Sequence, residues 1–196
     1  MKVPMPAAVL AGGASRRMGA PKAALPYGKT SLLAHQTSRL SRIFEEVFVV
    51  AKAAPAFDAG PAGLLLDRSD EHAAIHGVAR ALEEAADRVF ILGVDLPLVT
   101  EPVLREIARR SLASDAPAIA PLADGRMQPL AAAWRRRLLP EVLDRIAKGE
   151  MSLRKLLEDA GAEVLAEDDW KSLDPSGNSF ANLNTIEAYA AARGFA

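Results

Sequence analysis

The chain has 196 residues, 50% of them hydrophobic, and sets 24 lysines and arginines against 25 aspartates and glutamates for a formal net charge of -1. That balance leaves no overall field to attract nucleic acid, and two tryptophans, two tyrosines and six phenylalanines are too scattered for a base-stacking platform. Cysteine is absent, which removes disulfides and thiolate metal sites and suits a reducing cytoplasm, and no apolar run approaches the ~20 residues that span a bilayer. A chain of this length buries roughly 70% of its unfolded surface without staples, so residues 1–196 are expected to form a single domain. Lys2 followed by VPMPAAVLAGGA faintly imitates a secretory signal, but Pro4 and Pro6 interrupt it and no cleavage is expected.

In chain order, Ala7-Ala8-Val9-Leu10 reads as a buried strand, and Ser31 caps a helix through Leu32, Leu33, Leu40, Ile43 and Phe44. Val47–Val50 is a second strand, Ala53–Gly63 a loop, and Leu64–Leu66 a third strand ending in Asp67. The spacing of Ile75, Val78, Ala79 and Leu82 predicts a helix from His72 to Ala86. The most apolar strand, Val89–Val94, runs into Asp95-Leu96-Pro97, and a helix follows from Thr100 or Glu101 with Pro102 in its first turn. Ala118-Ile119-Ala120 is a short strand, Asp124-Gly125-Arg126 a turn, and Met127–Trp134 a strand running back. Helices at Leu138–Lys148 and Ser152–Ala160, a strand at Glu163–Leu165, a polar loop at Asp168–Ser179 and a last helix capped by Thr185 and ended by Gly194 complete the chain. Alternating strands and helices define an α/β fold, a mostly parallel sheet between helix layers.

The stretch Ala7–Lys22, AAVLAGGASRRMGAPK, carries the chemistry. A buried strand empties into a loop holding Gly12, Gly13, Ser15, Arg16, Arg17, Gly19 and Lys22, where backbone N–H groups and cations share a target best met by phosphate. The glycines are adjacent, so the dinucleotide fingerprint fails; Gly28-Lys29-Thr30 ends like a P-loop, but Ala23 stands in place of its first glycine. Ligands of such sheets collect beyond the carboxyl ends of the strands, where the glycine loop, Asp67, Asp95 and Asn182 all fall. Asp95 suits a Mg²⁺ ion held beside phosphates, the alternative being a turn or helix-capping aspartate. Asp67 accepts from a nucleobase or ribose, or caps the next helix. Lys22, stiffened by Pro21, contacts phosphate, and Arg17 is preferred to Arg16 for the same task because neighbours on an extended backbone diverge. His72 and His76 have the i, i+4 spacing of zinc ligands without the glutamate that zincins require, Ser15 has no triad partners, and Trp134-Arg135-Arg136-Arg137 reads as a solvated basic face.

The run L-A-G-G-x-S-x-R-M-G-x-P-K from Leu10 to Lys22 resembles the signature loop of the MobA family, the nucleotidyltransferases typified by molybdenum cofactor guanylyltransferase. Four further segments are similar to that family: Asp95-Leu96-Pro97, Gly125-Arg126-Met127-Gln128-Pro129-Leu130, Gly149–Arg154, and Phe180-Ala181-Asn182-Leu183-Asn184-Thr185. The resemblance implies a three-layer α/β/α sandwich with a mostly parallel, Rossmann-like sheet of the nucleotide-diphospho-sugar transferase kind. It implies transfer of GMP from GTP to molybdopterin, with Mg²⁺ as cofactor. Leu10, Ala11, Gly12 and Gly13 would then contact the nucleotide, Lys22 its phosphates and Asp67 the guanosine portion. Asp95 would hold the metal, with Arg17, Lys22 and Asp95 carrying the chemistry and Asn182 and Asn184 near the pterin acceptor. GTP and molybdopterin are the implied substrates, with transient contact to cofactor-biosynthesis proteins or molybdoenzyme chaperones, and with neither nucleic acid nor membrane as partner. Relatives often carry an asparagine after the second strand, where Val50-Ala51-Lys52 stands here, and a G-P-L-x-G turn where Ala73–Gly77 stands. Leu-Ala-Gly-Gly resembles the guanylyl branch; CTP or another phosphorylated acceptor, and a non-catalytic nucleotide-binding module, are the competing readings.

Overall fold

The computed structural model describes residues 1–12 and 21–181. Gly13, Ser15, Arg16, Arg17, Gly19, Asn182, Asn184 and the helix expected from Thr185 lie outside the described residues. The sheet is assembled from β1 (Val3–Leu10), β4 (Phe44–Ala51), β5 (Gly63–Leu66), β6 (Arg88–Gly93), β7 (Ala118–Ala123), β8 (Arg126–Met127), β9 (Ala131–Arg135) and β10 (Glu163–Leu165). Its order is β10-β7-β9-β6-β1-β4-β5, with β8 paired to β7. The β5-β4-β1-β6 half is wholly parallel, and β9 runs antiparallel between β6 and β7. The mostly parallel sheet expected from the alternation is therefore present, with β9, the strand read as running back, inserted antiparallel and the short β8 antiparallel to β7.

β1 shows how the sequence makes the layers. Its last four residues are all buried, and because successive side chains point to opposite faces they divide between two cores. Ala7 and Val9 join Leu32, Leu40 and Ile43 of α1 (Leu32–Ile43) and Val103, Leu104 and Ile107 of α3 (Glu101–Ala113). Ala8 and Leu10 join Ile75, Val78 and Leu82 of α2 (Ala74–Glu84), Val142 of α4 (Leu139–Ala147) and Leu156 and Leu157 of α5 (Leu153–Asp159). Burying each such Val, Leu or Ile contributes about 1.5–3 kcal/mol, which is why this sheet is covered on both faces.

The helix starts follow local chemistry. Ser31 Oγ accepts from the Ala34 N–H at 3.0 Å, and Ser152 Oγ accepts from that of Lys155 at 3.3 Å, as capping predicts. Thr100 is the N-cap of α3 with Pro102 in the first turn, though its side chain makes no cap bond. Gly28-Lys29 is the turn of a small hairpin, β2 (Pro26–Tyr27) with β3 (Thr30–Ser31), and Gly28 takes φ 60°, so the P-loop-like triplet has no phosphate loop around it.

Three expectations are corrected. Met127–Trp134 is not one strand: it breaks at Gln128-Pro129-Leu130, where Pro129 has no N–H for the ladder and Gln128 N–H donates instead to the Pro121 carbonyl at 2.9 Å. The polar stretch 168–179 is not all loop, because α6 (Glu167–Lys171) forms within it around buried Trp170, whose Nε1 donates to the Leu122 carbonyl at 2.7 Å. Beyond α6 the chain is organised by buried Asp174, which accepts from Ser176 and Ser179. Burial raises its carboxyl, but those hydrogen bonds outweigh it and hold the group below the usual range. The arginine run is only partly a solvated face. Arg136 and Arg137 are exposed, whereas Arg135 is half-buried and donates to the Ser114 carbonyl at 2.6 Å and to Asp115 at 3.0 Å.

Candidate active site

The chain leaves β1 toward β4 on one side and returns to β6 on the other, so the topological switch point lies between β1 and β6. Main-chain bonds hang the strand-end residues around it. Ala11 N–H donates to the Val50 carbonyl at 2.9 Å, Val94 N–H to that of Leu10 at 3.2 Å, and Asp67 N–H to that of Ala51 at 2.9 Å. Leu10, Ala11, Gly12, Asp67 and Asp95 thus share one edge of the sheet.

Lys22 reaches the same edge from a separate element. After Pro21, residues Lys22–Ala24 form a 3-10 turn seated by buried Ala23. The Lys22 ammonium stands 3.6 Å from Asp95 Oδ2, with the two side chains 19% and 26% exposed. A cation and a carboxylate brought together from distant parts of the chain, both still open to the crevice, are what a triphosphate and its counter-ion require. Among the described residues no group of three or more His, Cys, Asp or Glu surrounds a metal position. The donor set at Asp95 fits Mg²⁺, which takes one or two carboxylates and completes its shell with phosphate oxygens and water.

Asp95 caps no helix, because α3 begins at Glu101. Its carboxylate has room through Gly93: a Cβ there would lie 2.7 Å from Asp95 Oδ1 and 3.4 Å from Leu130 Cβ. Gly93 N–H is held by the Leu130 carbonyl at 2.7 Å, which also ties the Gly125–Leu130 segment to the crevice. Gly93→Ala is expected to turn the carboxylate aside and lower kcat roughly 10²-fold, as a 1 Å misplacement does. The fold should lose only the ~1–3 kcal/mol of one overpacked methyl. Steady-state turnover beside a thermal melt checks this, and full turnover would remove Gly93 from the site.

Three strands from β6, at about 4.8 Å per spacing, Asp67 lies about 14 Å across the sheet edge, at the end of β5. It caps no helix either: Oδ1 accepts from the Ser69 N–H at 3.0 Å, and the N-cap of α2 is Ala73. Oδ2 faces Lys52 Nζ at 2.9 Å. Burial raises the Asp67 carboxyl, but the hydrogen bonds from Lys52 and Ser69 outweigh it and the group is held below the usual carboxylate range. Beyond the ends of β1 and β4 opens a largely apolar cavity of about 450 Å³, lined by Gly12, Lys52, Ala53, Phe57 and His72, which Asp67 does not itself line. A narrow recess bounded by Leu10, Asp67 and Gly77 adjoins it and shares Gly12, Lys52 and His72. His76 points to Glu71 at 3.3 Å rather than pairing with His72.

Of the residues nominated from the sequence, Leu10, Ala11, Gly12, Lys22, Asp67 and Asp95 lie along this edge; Gly13, Arg17, Asn182 and Asn184 fall outside the described residues. It assigned no role to Lys52, His72 or Gly93. Lys52 was findable, because it follows β4 as closely as Asp67 follows β5.

A doubly wound sheet with a cation and a carboxylate at its switch point, and an apolar slot leading away from them, defines a nucleotide-handling α/β domain of the nucleotidyltransferase class. The chain belongs to the MobA-like NTP transferase domain family, whose model matches residues 7–165. It is 34% identical over 166 residues to a probable molybdenum cofactor guanylyltransferase of Mycobacterium tuberculosis, covering 82% of each chain. It is 27% identical over 184 residues to the molybdenum cofactor guanylyltransferase of Syntrophotalea carbinolica, covering 93% of this chain and 88% of that one. Its fold matches the crystal structure of molybdopterin-guanine dinucleotide biosynthesis protein A from Archaeoglobus fulgidus with a TM-score of 0.84 at 22% identity, over 97% and 98% of the two chains.

Proposed function

We propose that this nucleotidyltransferase moves GMP from GTP to molybdopterin. The terminal phosphate oxygen of molybdopterin forms a bond to the α-phosphorus of GTP, the bond from that phosphorus to the α–β bridging oxygen breaks, and pyrophosphate departs. The observation that carries the reading is the Lys22–Asp95 pair at the switch point, 3.6 Å apart and facing the crevice that begins at Leu10-Ala11-Gly12. Relatives that bear the guanylyltransferase name support the donor and the acceptor.

Phosphoryl chemistry of this kind asks little covalent work of a protein and much alignment and charge neutralisation. Lys22 neutralises phosphate oxygens, and main-chain N–H groups after β1 approach the nucleotide closely where Gly12 carries no Cβ. Asp67 takes the nucleoside portion, and the apolar slot beside it receives the base and excludes water from one side. Asp95 would hold Mg²⁺, which when bound supplies charge stabilisation to the phosphates. Arg17 is assigned to the phosphates, and Asn182 and Asn184 to the acceptor, on the family resemblance. The cysteine-free composition suits the reducing cytoplasm, where we place the reaction, with the product passed on through transient contact with cofactor-biosynthesis proteins or molybdoenzyme chaperones.

Incubation of the chain with Mg²⁺, molybdopterin and equal GTP and CTP is the direct test. Consumption of GTP in preference to CTP, with matching pyrophosphate release, is expected. Equal or reversed consumption would replace the guanylyl reading with the CTP one.

A further inference from the structure

Among the described residues, Lys52 is a cation of this crevice to which the reaction gives no role. It stands directly after β4, and its ammonium makes three contacts, all to one short segment: Asp67 Oδ2 at 2.9 Å, the Ser69 carbonyl at 2.6 Å and Ser69 Oγ at 2.6 Å. An ammonium has three donors, so all are engaged and Lys52 has none left for a ligand. What it does instead is join the ends of β4 and β5 and fix one carboxylate. Asp67 then has one oxygen on Lys52 and the other on the Ser69 N–H, with a further hydrogen bond from the Ser69 side chain, and as a carboxylate it can only accept. A side chain only 10% exposed offers fixed acceptors and no donor at a recess of about 10 Å³, which Gly12 and His72 also line and which adjoins the larger apolar cavity.

We propose that Lys52 is a positioning residue for nucleotide selection: it orients Asp67 as an obligate acceptor for adjacent N–H donors of the substrate base. Building on the guanylyl reading, those donors are guanine N1–H and N2–H₂. Adenine and cytosine present an acceptor where N1–H must be, and a carboxylate held ionised cannot supply the missing proton. Other charged groups face Asp67 as well. Arg68 follows it in the chain, His72 shares its recess, and His76, Arg80 and Glu83 of α2 line the groove on which Asp67 also borders. None of these makes the direct contact that Lys52 makes; His76 is turned to Glu71, and Arg80 to Glu83 and Glu84.

The experiment measures Kd for GTP and for inosine triphosphate, which keeps N1–H and lacks the 2-amino donor, on the unaltered chain, Lys52→Met and Lys52→Arg between pH 4.5 and 8. Losing a charge-assisted contact predicts that Lys52→Met weakens GTP about 10-fold near neutrality. The GTP-over-inosine preference should shrink toward unity in that variant. The acid fall of GTP affinity should also move to higher pH, because Asp67 without its cation protonates earlier; the γ-phosphate titrates alike in all three proteins. Lys52→Arg, which keeps the cation, should restore the preference and the acid limb. A Lys52→Met that weakens both nucleotides equally, with the acid limb unmoved, would reduce Lys52 to a structural tie and overturn the proposal. Failure of the unaltered chain to bind GTP would instead overturn the guanylyl reading, so the two failures are told apart.

Discussion

Asp95→Asn is expected to lower kcat for pyrophosphate release about 10³-fold, the scale on which removing a preorganised charge from a phosphoryl-transfer site acts. The substitution keeps the shape of the side chain and removes its charge, so Gly93 and Leu130 still accommodate it and the fold has no reason to loosen. Nucleotide binding measured without divalent metal should be unchanged or tighter, because the carboxylate no longer repels the triphosphate. Loss of turnover with retained binding separates catalysis from mere holding. Unimpaired cofactor production by this variant would make the crevice a nucleotide-binding module that delivers rather than reacts.

The second large effect concerns Lys22, for which Lys22→Met is expected to lower kcat/KM about 10²- to 10³-fold, with most of the loss in kcat. In the structure its ammonium lies 3.6 Å from Asp95, within reach both of that carboxylate and of phosphates entering between β1 and β6. Methionine keeps an unbranched apolar stem at the start of the 3-10 turn and removes only the charge. Because the two residues face one another, their effects should not add: the Lys22→Met/Asp95→Asn double variant should lose much less than the product of the single losses. Steady-state kinetics on the four proteins checks this. Independent, multiplicative losses would mean that the pair does not act on one triphosphate.

Much of this site was legible in the chain itself. An apolar run of β length ending in a polar residue marks a strand end, and parallel α/β sheets bind beyond their strand ends, so Leu10, Asp67 and Asp95 could be placed on a common edge from local pattern alone. Ser31 and Ser152 as caps, and Pro102 in a first turn, are equally local matters of which N–H groups a helix start leaves unpaired. The reversal of β9 was legible from the turn at Asp124-Gly125-Arg126, but its insertion between β6 and β7 was not, because an apolar run buried on both faces does not say which strands flank it. α6 escaped because its five residues bury only Trp170, too little for a helical period to show.

What composition and periodicity determined, then, is the α/β class, the order of elements and the identity of the strand-end groups, since all of these follow from patterns within a dozen residues. The tertiary structure alone decided who meets whom: that Lys22 turns to Asp95, that Lys52 clamps Asp67 and Ser69, and that Gly93 makes room for a carboxylate two residues on. Those pairings depend on strand order and on the seating of a 3-10 turn. Both are fixed by packing between segments far apart in the chain, and no local period encodes them.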